Sequence, residues 1–589
     1  MQRSSSVPAI FPPQRRRLLD GLQWIALAGL TLSMTWPGLQ QGLGYIPEEV
    51  RRVSIAVQMA STGDLNPHWF GHPASLLIYS LSTVYKCLSI ASDWGVLNRS
   101  WSDLLSKYLT EPTGLFLIGR FLARLTAVAA VIATFEVGIR VMPRNWAFAA
   151  ATLTATNPIF ITNANRLRCD HILTIFLLLA TRALAKSIPT AKAERNQAHI
   201  GILTGIAITY KYLAGCILVA QAAVIASLEI PLPQKLRSIA RTTAFAGAAS
   251  FVASPFLWLD LPQVLRDVLW EATKQNFSWN PLLSIAKIIT VLRYGFSDLG
   301  CSIILIAALF GLWRLIKDGR KGLIIRLRKA GQRPYEAMIL ILLTYLGTTL
   351  LSTRWNATWM APIVPFFTLI LINESVHASE KLSSHPWISK RGYATNWVLM
   401  TLILITIVSS QLSEDSSIRS MRIREPAVRQ AERWIEQHIP DKSRILLWQP
   451  MPDQDGFFPR VRIQGASLLK VKPKGLPERI CTGERVNRYE TTKKITEEPC
   501  YPRPRIRSQL DDGHTPVLNN IDFLITSSRD APKIPIRDES GKIVTPTAIF
   551  SQPPFRRRLS YPKRDNFPEG DYGMWRHIRI YKLNENINS

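Results

Sequence analysis

From about residue 18 to residue 412 the chain alternates long apolar runs with short polar connections, and beyond 412 the apolar runs stop. Apolar runs near 20 residues are what a helix needs to cross a bilayer. The first covers Leu18 to Trp36, and others fall near 119–142, 146–163, 171–186, 199–210, 212–229, 240–258, 300–317, 337–352, 358–375 and 396–412. Residues 74–92 are apolar with polar flanks and are read as a helix lying in the membrane interface. The segment after Leu412 is polar, charged and Pro-rich. It carries an amphipathic stretch, Glu425 to His438, and strand-like runs at Ile445–Trp448, Phe523–Thr526 and Ile578–Lys582. The pattern predicts a mainly α, polytopic transmembrane bundle of eleven spans, followed by a small α/β domain.

Charge orients the bundle. The 589-residue chain is 47% hydrophobic and has a formal net charge of +29, which by itself would suit a nucleic-acid partner. Many of the Lys and Arg lie in short loops between apolar runs, where membrane orientation explains them and no nucleic acid is needed. Arg15–Arg17 precede the first run, and Thr35–Leu39 after it lacks a small-residue cleavage site, so the run is read as a retained span. With the N-terminus inside and 74–92 on the surface, the basic loops 140–144, 182–195, 235–241, 317–333 and 381–391 all fall inside. If 74–92 crossed, Lys317–Lys329 would land outside. The expected domains are a cytoplasmic basic tail (1–17), a membrane domain (18–412) with an external loop at 37–118, and an extracytoplasmic domain (413–589).

This topology gathers ionisable residues on the external face: Glu48, Glu49, Asp64, Arg166, Arg168, Asp170, Lys211, Asp260, Arg293, Asp298 and Arg354. Charges at membrane depth are costly, so their convergence on one face predicts a polar cavity there. For Asp260, Arg266 and Lys274 ordinary helix-end charges that snorkel to water are preferred. Glu48 and Glu49 follow Pro47, and on their own they read more readily as a solvated pair opening a surface helix, where acids suit the dipole. The competing reading is a general base.

The order of motifs resembles the GT-C superfamily of integral-membrane glycosyltransferases, in particular the protein mannosyltransferase and aminoarabinose-transferase-like group with its bacterial lipopolysaccharide-sugar relatives. The resemblance runs through Glu48-Glu49, Gly63-Asp64-Leu65-Asn66-Pro67, His72-Pro73, Gly119-Arg120 with Leu122-Ala123-Arg124, Asn157-Pro158, Asn163 to Asp170, and Gly201 to Ala207 with Tyr210-Lys211-Tyr212. It covers the first 260 residues well and the rest in outline. It implies a GT-C-like, multi-pass protein of a bacterial plasma membrane, with the active face and C-terminal domain extracytoplasmic. The implied activity is transfer of a hexose or pentose from a polyprenyl-phosphate-linked donor to a hydroxyl acceptor on glycan, lipid or protein. Glu48 stands where the family usually has Asp, a shift of one methylene, which implies a base adapted to Glu48, a larger role for Glu49, or a loss of activity.

Such a transfer needs a base for the incoming hydroxyl and cations for the departing phosphate. The resemblance gives these roles to Glu48 or Glu49 and to Lys211, Arg354 and Arg293, with Asp170 orienting acceptor or base. Asp64 and His72 are further external-loop candidates. No cofactor is expected and a divalent metal is not indicated: Asp453-Gln454-Asp455 lacks a preceding Rossmann-like unit, and Gly71 and Pro73 oppose a helical His68/His72 pair. Cys481 and Cys500 are the two cysteines of the C-terminal domain, and an oxidising compartment would allow them to pair. A transporter or channel using the same charges is the alternative, and Tyr210-Lys211-Tyr212 as a broken helix is the feature that fits it best.

Overall fold

The computed structural model describes residues 13–36, 47–71, 74–96, 100–101, 113–187, 193–275, 281–350, 357–383, 401 and 405–412, scattered positions between 430 and 438, and segments 444–448, 467–471, 477–481, 523–527, 546–551 and 577–582. The described chain is mainly helical. Its helices are α1 (Pro13–Thr35), α2 (Pro47–Thr62), α3 (Ser75–Asp93), α4 (Thr113–Gly138), α5 (Arg144–Ala155), α6 (Pro158–Ala164), α7 (Asp170–Leu184) and α8 (Ala193–Tyr210). There follow a 3-10 turn (Tyr212–Gly215), α9 (Cys216–Ser227), α10 (Leu232–Ala253), α11 (Phe256–Leu259), α12 (Leu261–Gln275), α13 (Pro281–Ala330), α14 (Pro334–Leu350), a 3-10 segment (Ala357–Ile363) and α15 (Val364–Ser383). Residues 405–412 are helical as well.

Two compact units divide the chain. One comprises Met1–Pro37, His68–Leu77 and Arg120–Ser416, the other Gly38–Pro67, Ile78–Gly119 and Ser417–Ser589. In the first, a continuous core is built from the inward faces of α4 to α9 and α13 to α15 with Leu27 of α1, and Phe135, Phe160, Leu173, Leu177, Tyr345 and Phe366 are almost completely buried. Edge-to-face pairs such as Phe296 and Phe367, 6.2 Å apart, seat α13 on α15. Helices α8 and α10 approach closely. A Cβ on Gly201 would lie 2.5 Å from the Thr242 carbonyl oxygen, and one on Gly205 would lie 2.2 Å from that of Ala246. Two glycines one turn apart therefore let the backbones touch, as small residues do between membrane helices.

Among the described residues three helical stretches are long and apolar enough to cross a membrane: Gly114–Gly138, Ile288–Ile306 and Trp359–Ala378. The chain is accordingly read as an integral membrane protein. Eleven spans were expected, and some of the other expected segments are helical but interrupted. Residues 146–163 become α5 and α6, divided at Asn157-Pro158, where Pro158 cannot donate and the Asn157 side chain accepts from the N–H groups of Ile159 and Phe160. The expected 300–317 span falls within α13, which is broken by non-helical backbone at Ser297 (φ 62°) and Gly319 (φ 57°). The expected spans 199–210 and 212–229 meet, as read from the sequence, at Lys211, whose backbone is extended.

In the second unit α2 begins with Pro47 at its first position, as read from the sequence. It ends at Gly63, whose left-handed backbone (φ 77°) lets its N–H reach the Met59 carbonyl at 3.0 Å. The Tyr85 hydroxyl of α3 donates to the Leu115 carbonyl at 2.9 Å. Six strands, β1 (Arg444–Trp448), β2 (Ser467–Val471), β3 (Pro477–Cys481), β4 (Phe523–Ser527), β5 (Ala548–Ser551) and β6 (His577–Lys582), form one sheet in the order β3-β2-β1-β4-β6-β5. Strand β1 runs parallel to β2 and β4, and the other pairings are antiparallel. The three strand-like runs of the sequence are β1, β4 and β6. Most of the stretch 425–438, with Asp453, Asp455 and Cys500, lies outside the described residues.

Candidate active site

The site is built on the connection between α6 and α7. Asn163 to Asp170 is buried throughout, although it contains Arg166, Arg168 and Asp170. Two tight turns, Arg166 N–H to the Asn163 carbonyl (3.1 Å) and Arg168 N–H to the Arg166 carbonyl (2.8 Å), bring the charged residues into one short stretch. From α4 the fully buried Arg124 donates to the Asn165 side-chain oxygen at 2.6 Å. Asp170 opens α7, where a carboxylate is favoured by the helix dipole. Its Oδ1 receives the Lys211 ammonium at 2.6 Å, with the side chains 4% and 17% exposed. Lys211 reaches it because α8 ends at Tyr210 and the extended Lys211 backbone precedes the 3-10 turn.

Asp170 stands just ahead of the apolar run 171–186. Burial works to raise its carboxyl, but the charges of Lys211 and Arg168 outweigh burial and hold it below the usual carboxylate range. Beside it His171 is fully buried, its ring edge-on to Phe160 at 4.3 Å. Its Nε2 lies 3.1 Å from the Phe160 carbonyl; as that oxygen can only accept, Nε2 carries the proton and Nδ1 is the acceptor.

Tyr212, next to Lys211, donates its hydroxyl to the Phe70 carbonyl at 3.1 Å, and the Phe70 N–H donates to Asp267 Oδ2 at 2.8 Å. The end of the Gly63–Pro73 loop is thus tied both to the Lys211 turn and to α12. Ser75, opening α3, donates to the Thr209 carbonyl at 3.2 Å and accepts from the Ser254 hydroxyl at 2.9 Å. On its other side the connection is braced by Asn157, whose side-chain NH2 donates to the Gly295 carbonyl at 2.8 Å. Gln411 donates to the same carbonyl at 2.8 Å and accepts from Thr156 at 2.7 Å.

In the second unit Glu49 is fully buried on α2, and Arg52, one turn on along the same face, is 4% exposed. The solvated-surface reading of this acid therefore does not hold for Glu49: the face it occupies continues through Val53, Ala56, Val57 and Ala60, all buried. The Glu48 side chain, His72 and Arg354 lie outside the described residues. Asp64 is exposed, and its Oδ1 accepts the Asn66 N–H at 2.9 Å, an Asx turn that shapes the loop after Gly63. Arg293 is paired with Asp298 at 2.5 Å, both well exposed. Of the sequence candidates, the structure joins Asp170 to Lys211 and leaves Arg293 in a pair of its own. Arg124 and His171 were missed as site residues. The positions four apart at Arg120 and Arg124 within an apolar helix were a usable signal, since two arginines on one face of such a run ask for polar partners.

No family model matches this sequence, and no curated protein is similar to it at a significant level. Solved structures do resemble the fold. They include the archaeal oligosaccharyltransferase AglB from Archaeoglobus fulgidus, in complex with an inhibitory peptide and a dolichol-phosphate (10% identity, TM-score 0.46, covering 87% of this chain and 70% of that one). ArnT from Cupriavidus metallidurans in the apo state gives 13% identity and a TM-score of 0.47, covering 97% and 98% of the two chains. The S. cerevisiae protein O-mannosyltransferase Pmt1-Pmt2 complex bound to the sugar donor gives 15% identity and a TM-score of 0.31, over 42% of this chain and 34% of that one. All three are GT-C glycosyltransferases, the superfamily whose motif order the sequence resembles.

Proposed function

We propose that this chain transfers a sugar from a polyprenyl-phosphate donor to a hydroxyl acceptor at the extracytoplasmic face of the membrane. The observation that carries the reading is the set of three buried arginines, Arg124, Arg166 and Arg168, with the partly buried Lys211, along and around the short connection that ends in Asp170. Burying such charge is costly, and a protein retains it where charge has to be handled. Fixed cations in a water-poor site stabilise an anion whose charge grows in the transition state, as a departing lipid phosphate does.

In this reading Glu48 accepts the proton of the incoming hydroxyl and Glu49, buried beside Arg52 on α2, sets the position of its neighbour. Lys211 spends one N–H on Asp170 and has two more with which to hold a phosphate oxygen. Arg354 adds a second phosphate contact. Arg293 would have to leave Asp298 to serve as a third. Asp170 fixes the Lys211 ammonium and orients the acceptor.

The test is donor consumption by the purified chain in vesicles supplied with a panel of radiolabelled polyprenyl-phosphate hexoses and pentoses and a mixture of envelope lipids and glycans. Release of polyprenyl phosphate, dependent on Glu48, is expected. A panel left intact at protein levels that bind donor would overturn the reading. A transporter is the second reading, favoured by the helix break at Lys211. Flux of an ion or solute across sealed vesicles without donor consumption would establish it instead.

A further inference from the structure

The segment after α10 has two faces of opposite character. In α12 Val264 is buried and Val268 half-buried, packed with Phe70, Leu257, Tyr212 and Phe256. Asp267 on that side accepts both the Phe70 N–H (2.8 Å) and the Gln263 side-chain amide (3.0 Å). One turn apart on another face, Leu261, Leu265 and Leu269 are 46%, 52% and 63% exposed. Arg266 borders this stripe and is exposed too. At i, i+4 and i+8 the leucines form a single row along the helix.

The row does not stand alone. Phe251 and Val252 at the end of α10 and Trp258 and Leu259 in α11 are also exposed, so exposed apolar residues recur from the expected 240–258 span into α12. Trp258 is anchored by its own N–H, which donates to the Ser250 hydroxyl at 3.0 Å, while its ring stays outward. A tryptophan so placed suits the membrane–water boundary. At 15 residues α12 is about 22 Å long, too short to cross hydrocarbon. A helix with one leucine row, an arginine beside it and the opposite face on protein lies flat in the interface.

We infer that α12 is an in-plane membrane-interface helix, with Leu261, Leu265 and Leu269 sunk to the headgroup–acyl boundary of the bilayer and Arg266 reaching the headgroups. Its protein-facing side, through Asp267 and Val264, holds Phe70 and Tyr212, so the membrane surface sets the height of the turn that carries Lys211.

Depth measurement on the full chain tests this without reference to sugar transfer. Nitroxide labels are placed through Leu261→Cys, Leu265→Cys, Leu269→Cys and Arg266→Cys, each with the exposed Cys87 and the C-terminal-domain Cys481 and Cys500 replaced by Ser, in phosphatidylethanolamine/phosphatidylglycerol vesicles. Collision with oxygen should exceed collision with a water-soluble nickel chelate at 261, 265 and 269, at one common depth, and the ratio should invert at 266. Nickel-dominated collision at the three leucine positions overturns the inference. So does a depth that changes steadily from 261 to 269, as a crossing helix would give, or spin–spin broadening that grows with protein density, which would assign the row to a second copy. If a labelled chain is misfolded, alkylation of the unlabelled cysteine variants in native membranes by a charged maleimide replaces it. Reaction faster at 266 than at 265 supports the in-plane helix, and equal or reversed rates overturn it.

Discussion

The Lys211 ammonium sits 2.6 Å from Asp170 Oδ1, and the two residues reach each other from separate helices, α7 and the break after α8. This pair joins the residue expected to orient the acceptor to the one expected to hold phosphate, and it gives Lys211 a structural partner before any substrate arrives.

Breaking the pair should therefore affect folding as well as transfer. Removing one partner of a buried pair typically costs ~3–5 kcal/mol, and Lys211, being partly exposed, should fall towards the lower end. Lys211→Ala is expected to lower the thermal midpoint in detergent more than Asp170→Ala/Lys211→Ala does, because the double variant leaves no stranded charge. Additive losses in the double-mutant cycle would show that the pair does not couple. The Asp170 carboxyl is held below its ordinary range, so the pair's contribution is complete above the unfolded value of about 3.9 and disappears as pH falls through the lower folded value. Wild type should lose more stability than the double variant on acidification over that window.

The two acids of α2 should separate. Glu49 is buried and Glu48 is assigned the proton. Glu48→Gln is expected to lower turnover by ~100- to 10,000-fold with the thermal midpoint retained. Glu49→Ala should lower the midpoint first, since it strips a charge from a buried face that also holds Arg52. Transfer and melting measured on the same preparations decide this, and full activity in Glu48→Gln would remove the base assignment.

Gly205→Ala should loosen α8 from α10. Its Cβ would sit 2.2 Å from the Ala246 carbonyl oxygen and 2.8 Å from the Ala249 Cβ, both parts of a packed helix that must move. Overpacking of this kind costs about 1–3 kcal/mol. Gly247→Ala on α10 is the control, since its nearest neighbours are Trp258 ring atoms at 3.9 Å. Melting curves of the two variants should differ, and coincident curves would contradict the close approach.

Asn157 does two jobs that substitutions can part. Its oxygen caps α6 and its amide nitrogen tethers α13 at Gly295. Asn157→Ser retains a capping oxygen and loses the tether, whereas Asn157→Ala loses both, with ~1 kcal/mol expected for the cap alone. Hydrogen exchange at residues 158–164 should quicken in Ala and not in Ser. Equal exchange in both would leave the cap without energetic weight.

The sequence by itself determined where helices form. Apolar runs, Pro47 at a helix start, Asn157-Pro158 at a cap and Gly63 at a helix end are local signals, acting through backbone sterics and nearest-neighbour hydrogen bonds. The strands β1, β4 and β6 were likewise legible as short apolar runs. Helix α12 was legible in principle, because its leucines recur every four residues, but its charges drew the reading towards helix ends. Only the tertiary structure decided which charges are buried and with what. Glu49 looks like a surface acid until α2 is packed, Arg293 finds Asp298 instead of the other cations, and Asp170 meets Lys211 across 41 positions of chain. Such pairings depend on how helices cross, and crossing is set by small contacts such as Gly205 against Ala246 that carry no charge pattern to read.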